Sequence, residues 1–150
     1  MKHLNFIDMT TWDMTERGIE KHRLPYKPLP ESHHLYFLND VHAGNSALSE
    51  DAIQNAVRTI RSKKRSYVIF QGDQLESITI DDKRFDVGVH GTHMTRFNAQ
   101  RDLFLQLFDP IADKVLLILD GNHERRISRT YLPNLDIAQK WNTVYAGGTM

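Results

Sequence analysis

Three short apolar runs, each followed by a polar segment, dominate the pattern of hydrophobic and polar positions along the chain. The runs are LYFL at 35–38, SYVIF at 66–70 and KVLLIL at 114–119, and the polar segments after them are NDVHAGN, QGDQLES and DGNHE. Short runs rich in Val, Ile, Leu and Phe that end at turn-forming residues predict buried strands. A shorter run, TVYAGG at 143–148, predicts a fourth strand.

Helical patterns separate these runs. A helix is predicted to begin at Ser49, because acidic residues follow it and apolar residues then recur at 53, 56, 57 and 60. A second helix is predicted from about Thr95 to Phe108, where Asp109-Pro110 ends it, and a short one around Leu135–Trp141. The alternation predicts an α/β fold with a mainly parallel β-sheet flanked by helices.

Composition leaves this fold unchanged but restricts the chemistry. The 150 residues contain 19 basic and 19 acidic side chains and no cysteine, so no overall charge draws the chain to nucleic acid, and histidines and carboxylates are the strong metal ligands available. Residues 1–30 end in the proline-rich RLPYKPLP and are predicted to be an arm or linker, with the domain at 31–150. No signal-peptide or membrane segment is recognisable, which favours a cytoplasmic protein.

The polar segments carry the candidate chemistry. The carboxyl ends of parallel strands meet at one edge of a sheet, so Asp40, His42, Asp73, Asn122 and His123 are expected to converge there. A cation among them is the economical explanation for such a set. On an extended backbone the side chains of an Asp-x-His sequence lie on the same side.

Two glycines stand directly before candidate ligands. Gly72 precedes Asp73 and Gly121 precedes Asn122. A residue without a Cβ lets the backbone turn sharply, so each glycine is expected to let the residue after it come close to the ion.

The motifs DVH at 40–42, GD at 72–73 and GNHE at 121–124, in this order and each after a predicted strand, resemble those of the calcineurin-like metallophosphoesterase superfamily. The run DDKRFD and the segment FDPIADKVLLILDGNHERR resemble bacteriophage and prophage members. The resemblance covers about residues 34–148. It implies the first half of a four-layer αββα sandwich and hydrolysis of a phosphomonoester or phosphodiester, with nucleotides and nucleic acids among the candidate substrates.

The resemblance also implies a role for each motif residue. Asp40 and His42 are expected to hold a first metal ion, Asp73 to bridge two ions and Asn122 to bind the second. His123 is expected to act on the substrate rather than on the metal. Two divalent ions are implied, with Mn²⁺ preferred and Fe, Zn, Ni or Mg as alternatives, and such a pair activates water and offsets charge on the phosphoryl group.

Four further residues have two interpretations each. Arg125 and Arg126 directly follow the GNHE motif and are the candidate substrate-binding residues, with structural pairing to Asp or Glu as the first interpretation and binding of the substrate phosphate as the second. His90 and His93 in VHGTH lie where the resemblance implies no ligand, so solvated loop histidines are the first interpretation and replacement metal ligands the second.

The sequence departs from the family after His123, where no further histidine occurs. Family members supply three more histidines from a second half, so this chain is expected to represent the N-terminal half, with a weak second metal site. Apolar sheet faces are then expected to be covered by a homo-oligomer or by a missing C-terminal half. The alternative function is a catalytically impaired form that acts as a binding or regulatory module through oligomerisation.

Overall fold

The computed structural model describes residues 10–15, 18–23, 32–78, 80–86, 88 and 96–147, and of residues 10–23 it describes the backbone alone. Four parallel strands form the central sheet in the order β3-β4-β5-β6. Their bounds are His34–Leu38 for β3, Ser66–Phe70 for β4, Val115–Leu119 for β5 and Val144–Ala146 for β6. The predicted α/β class and parallel sheet are therefore confirmed.

Two further strands lie in the segment that the sequence predicts to be an arm or linker. Strand β1 (Thr10–Thr15) pairs antiparallel with β2 (Gly18–Arg23) in a two-stranded sheet of its own. The apolar pattern of residues 1–30 does not indicate this pairing.

The connections between the parallel strands carry the helices. Helix α1 (Glu50–Ser62) joins β3 to β4, and α2 (Phe97–Phe108) with a 3-10 helix (Asp109–Lys114) leads into β5. Helices α3 (Asn122–Ile127) and α4 (Pro133–Trp141) lie between β5 and β6. The hydroxyl of Ser49 accepts a hydrogen bond from Ala52 N at 3.4 Å, so the predicted start of α1 is correct.

The core lies between the sheet and these helices. Strand residues Val68, Phe70 and Ile118 are fully buried and belong to one cluster with residues of α1, α2 and α4. The rings of Phe104 and Phe108 pack on Phe70, with centroids 5.0 and 5.1 Å away. Because residues of α1, α2 and α4 all belong to this one cluster, these crossover helices pack on the same face of the sheet.

The opposite face of the sheet is also apolar. Leu35 pairs with Tyr67 and Phe37 with Ile69 in the β3-β4 register, and these side chains alternate with the core positions. Leu35 is 42% and Phe37 54% exposed, and in the described part of the chain no helix packs there. At β3 this face thus has exposed apolar side chains, whereas β1 lies close to β6.

None of the helices in the described ranges combines the length and the apolar character needed to cross a membrane. The longest described helix, α1, has 13 residues, whereas a spanning helix needs about 20.

Candidate metal centre

Three loops meet beyond the carboxyl ends of β3, β4 and β5. After the first two strands end, their chains continue side by side: His42 N donates to Asp73 O at 3.0 Å and Ala43 N donates to Gln74 O at 2.9 Å. The loop after β5 joins them, because His123 N donates to Asp73 Oδ1 at 2.9 Å. The predicted convergence of the three polar segments is thus present in the fold.

Two glycines permit this close approach. Gly72 has a φ of +115°, and a Cβ added to it would lie 2.6 Å from Gly121 Cα. A Cβ on Gly121 would lie 2.6 Å from Asp73 Cγ and closer still to Asp73 N and Oδ1. Both glycines are therefore required because the two loops touch backbone to backbone, a physical reason that the motif alone does not reveal.

Three candidate residues form a compact group of metal-ligand atoms. One ligand atom each from His42, Asp73 and His123 lies within 4.8 Å of the other two. The two imidazole rings meet edge to face, with centroids 4.5 Å apart and an interplanar angle of 78°. Two ring nitrogens and a carboxylate are donors that Mn²⁺, Fe, Zn and Ni accept.

The other two predicted ligands flank this group. Asp40 Oδ1 lies 3.7 Å from His42 Nε2, and the Asp40 side chain is 60% exposed. The Asn122 carboxamide lies 3.0 Å from Asp73 Oδ2. When the amide nitrogen of Asn122 faces Asp73, it donates to Asp73 Oδ2, and the amide oxygen accepts from Arg126 at 3.2 Å. When the amide oxygen faces Asp73 instead, two acceptors face each other.

Three of the candidate ligands have left-handed backbone conformations. The φ angles are 53° at Asp40, 49° at His42 and 54° at Asp73. The expectation that the Asp-x-His segment is extended is therefore wrong: β3 ends at Leu38, and these two residues approach each other through left-handed turns. Such conformations cost roughly 1–3 kcal/mol each, less for Asp than for most residues, and they concentrate at functional sites.

Glu124 holds two of the loops together, a role that the sequence does not reveal. Its carboxylate is buried and accepts hydrogen bonds from the backbone N–H groups of Asp73 at 3.0 Å, Leu75 at 2.9 Å and Gly121 at 2.9 Å. Burial raises the pKa of Glu124, and these backbone hydrogen bonds oppose the rise. The sequence signal for this role is the spacing of Gly121 and Glu124, because a Glu three residues after the residue that caps a helix commonly accepts a hydrogen bond from the backbone N–H of that residue.

Glu76, also without a predicted role, contacts both imidazoles. Its Oε2 lies 3.1 Å from His42 Nδ1, but off the N–H direction, so the contact is an ion-pair geometry rather than an aligned hydrogen bond. Its backbone oxygen is hydrogen-bonded to His123 Nδ1. When each Nδ1 carries its proton, each Nε2 is left with a lone pair. Glu76 is 4% exposed and accepts from Asn45 Nδ2 at 3.2 Å.

The two arginines after the GNHE motif differ in their surroundings. Arg125 and Arg126 are both exposed residues of α3. Arg126 lies next to Asn122 and close enough to Asp82 to contribute to the lowered pKa of that carboxyl group, whose main cause is its hydrogen bond to Arg84. Arg125 makes no side-chain contact with the candidate ligands in the described structure. The geometry therefore places Arg126, rather than Arg125, beside the site.

Asp120, which precedes the GNHE motif, belongs to the supporting structure. It is 8% exposed, accepts from Asn134 Nδ2 at 2.8 Å and is hydrogen-bonded to the Tyr145 hydroxyl. These contacts tie the end of β5 to α4 and β6, and they fix the point where the GNHE loop begins.

His90 and His93 lie outside the described residues, so the interpretation of VHGTH stays a prediction. No known family's sequence model matches this chain, and no curated protein matches it either.

Proposed function

We propose that this chain is a metal-dependent phosphoesterase of the calcineurin-like metallophosphoesterase type, acting on phosphomonoesters or phosphodiesters in the cytoplasm. The observation that carries the proposal is the group of His42, Asp73 and His123, whose ligand atoms lie within 4.8 Å of one another at the carboxyl edge of a parallel sheet. The left-handed backbone at His42 and Asp73 supports it, because strained conformations of this kind cluster at functional sites.

The residues present fit a divalent cation. Asp40, His42 and Asp73 would hold a first ion, and Asp73 with Asn122 a second, weaker one. The position of Asn122 supports this, because its carboxamide lies 3.0 Å from Asp73 Oδ2 and offers an oxygen as well as a nitrogen to that site. When bound, such ions lower the pKa of bound water and offset negative charge on the phosphoryl group.

The residues beside the ligands supply the rest of the chemistry. His123 is hydrogen-bonded through Nδ1 to Glu76 O, so its Nε2 is the atom that would face the phosphoryl group. As an imidazolium, with a proton on each ring nitrogen, His123 would donate through Nε2 to the leaving oxygen or to a phosphoryl oxygen. Arg126 would contact the phosphate oxygens, since it lies next to Asn122.

The test combines metal binding with turnover. Titration calorimetry with Mn²⁺ is expected to give about one tight site per chain, and Asp73→Asn is expected to abolish it and any hydrolysis of bis-p-nitrophenyl phosphate. Asp113→Asn is the matched control, because Asp113 is exposed and precedes β5, at the opposite end of that strand from the site. Equal Mn²⁺ binding by the wild-type protein and Asp73→Asn would refute the assignment.

A second candidate function rests on the open face of the sheet. Phe37, 54% exposed, and Leu35, 42% exposed, lie on a surface that favours association with a second copy of the chain or with another protein. In that case the chain is a binding or regulatory module with impaired catalysis. Mn²⁺ binding without turnover, in a protein that self-associates, would favour this candidate over the first.

A further inference from the structure

A cleft of about 570 Å³ opens between α1 and the loop after β3. Apolar side chains form most of its lining, chiefly Leu38, Val41, Leu48, Ile53 and Phe108. Its volume lies within the roughly 300–1,000 Å³ range of small-molecule sites, which are usually apolar with a few convergent polar groups.

The cleft is partly shared with the candidate metal centre, and Asn39, Asn45 and Ser49 complete its polar lining. Asp40 and His42 belong to both, and so does Glu76, which contacts His42 Nδ1 at 3.1 Å. A single ligand can therefore place a charged group at the metal centre and an apolar group in the cleft. The Ala52 and Ala56 side chains of α1 border the cleft and leave it space.

We propose that this cleft binds the hydrocarbon part of a phosphate ester whose phosphate lies at the metal centre, so that the substrate carries an aliphatic or aromatic group. The assignment rests on the proposed function for the position of the phosphate. The hydroxyl groups of a sugar would lose their hydrogen bonds to water against Leu38, Ile53 and Phe108, whereas an alkyl chain or phenyl ring gains by leaving water.

The probes are two phosphonates that differ only in their apolar part. Hexylphosphonate has five more methylenes than methylphosphonate, and each fully buried methylene is worth roughly three- to fourfold in affinity. Because the cleft is open on one side, hexylphosphonate is expected to bind the Mn²⁺-loaded protein roughly 10–100-fold more tightly than methylphosphonate. With Mg²⁺ in place of Mn²⁺, hexylphosphonate is expected to shift the methyl NMR signals of Leu48 and Ile53. Methylphosphonate is expected to leave these signals unchanged.

A variant that fills the cleft provides the second arm. Ala52 is exposed and borders the cleft, so Ala52→Phe is expected to remove the preference for hexylphosphonate while leaving Mn²⁺ and methylphosphonate binding unchanged. Gln54→Phe is the matched control, because the same ring is added to α1 at an exposed position that does not border the cleft. Its preference is expected to equal that of the wild-type protein.

The outcomes separate this inference from the proposed function. If Mn²⁺ and methylphosphonate bind but hexylphosphonate binds no more tightly, or if Ala52→Phe keeps the preference, the cleft assignment is overturned and the metal site stands. If Mn²⁺ does not bind, the proposed function fails and the phosphate ester assignment fails with it. The comparison of the two phosphonates in the wild-type protein requires no variant to fold.

Discussion

Replacing Gly121 by alanine is the sharpest perturbation of the candidate site. The added Cβ would lie 2.6 Å from Asp73 Cγ and nearer still to Asp73 N, and real Cβ atoms essentially never approach other atoms so closely. Part of this clash is with backbone, so rotation of a side chain cannot relieve it. The loop after β5 must move away from the loop after β4.

The magnitude follows from the hydrogen bonds that depend on this contact. Glu124, in the same loop as Gly121, accepts from Asp73 N at 3.0 Å and from Leu75 N at 2.9 Å in the other loop, and separation of the two loops breaks at least one of these bonds and strains the other. Hydrogen bonds to a charged group contribute roughly 1.5–3 kcal/mol each, and overpacking adds roughly 1–3 kcal/mol. We expect Gly121→Ala to lower the free energy of unfolding by about 4 kcal/mol, which corresponds to a fall in Tm of roughly 8–16 °C.

Circular dichroism melting curves measure this fall, and calorimetry is expected to show weakened Mn²⁺ binding. Gly88→Ala is the control, because among the described residues its Cβ would meet only the side-chain oxygen of exposed Asp86, at 3.2 Å. A Gly121→Ala protein that melts within about 2 °C of the wild-type Tm and binds Mn²⁺ equally would refute the inferred contact between the loops.

Three further predictions test other parts of the structure. Glu76→Gln removes the negative charge beside His42 Nδ1 and is expected to weaken Mn²⁺ binding roughly 10–100-fold in calorimetry; unchanged affinity would exclude an orienting role. Where the complete two-metal site forms, His123→Ala is expected to lower turnover of bis-p-nitrophenyl phosphate roughly 10²–10⁴-fold with nearly unchanged Mn²⁺ affinity, whereas loss of the metal would make His123 a ligand. Phe37→Lys is expected to reduce self-association in sedimentation velocity, and a wild-type protein that is monomeric at high concentration would contradict this.

The strands and the helices between them were predictable because their signals are periodic and local. Ser49 caps α1 as its position before acidic residues indicates, and the predicted helix that stops before Pro110 does end at Phe108. The convergence of Asp40, Asp73 and His123 was also predictable, since it follows from strand order in a parallel sheet.

The remaining features depend on contacts between residues distant in sequence. Glu124 accepts from Leu75, 49 positions earlier in the chain, and no local pattern encodes that partner. Glu76 has a role only because the loops of His42 and His123 both reach it. The left-handed conformation at His42 is likewise imposed by its neighbours, because an isolated Asp-x-His after a strand favours an extended backbone.

Asp40 offers a way to separate function from folding. Its side chain is 60% exposed and its φ is 53°, so it contributes little burial while occupying a strained conformation. Asn tolerates this conformation well and keeps the shape of the side chain, while the change removes one negative charge from an edge that also holds Asp73 and Glu76. In EDTA we therefore expect Asp40→Asn to melt at or slightly above the wild-type Tm, with a gain of at most about 1 kcal/mol.

With Mn²⁺ present the order is expected to reverse. A ligand at 100 times its Kd stabilises the folded protein by about 2.7 kcal/mol, and a variant whose affinity is tenfold lower gains only about 1.4 kcal/mol at the same concentration. Wild-type protein should thus rise above Asp40→Asn once Mn²⁺ is added. If Asp40→Asn is equally destabilised in EDTA and in Mn²⁺, Asp40 has a structural role and is not a metal ligand. A crossing of the two Tm values between the two conditions is expected only if the Asp40 carboxylate binds the cation, because its described partners in the metal-free fold, Asn39 Nδ2 and His42 Nε2, are present under both conditions.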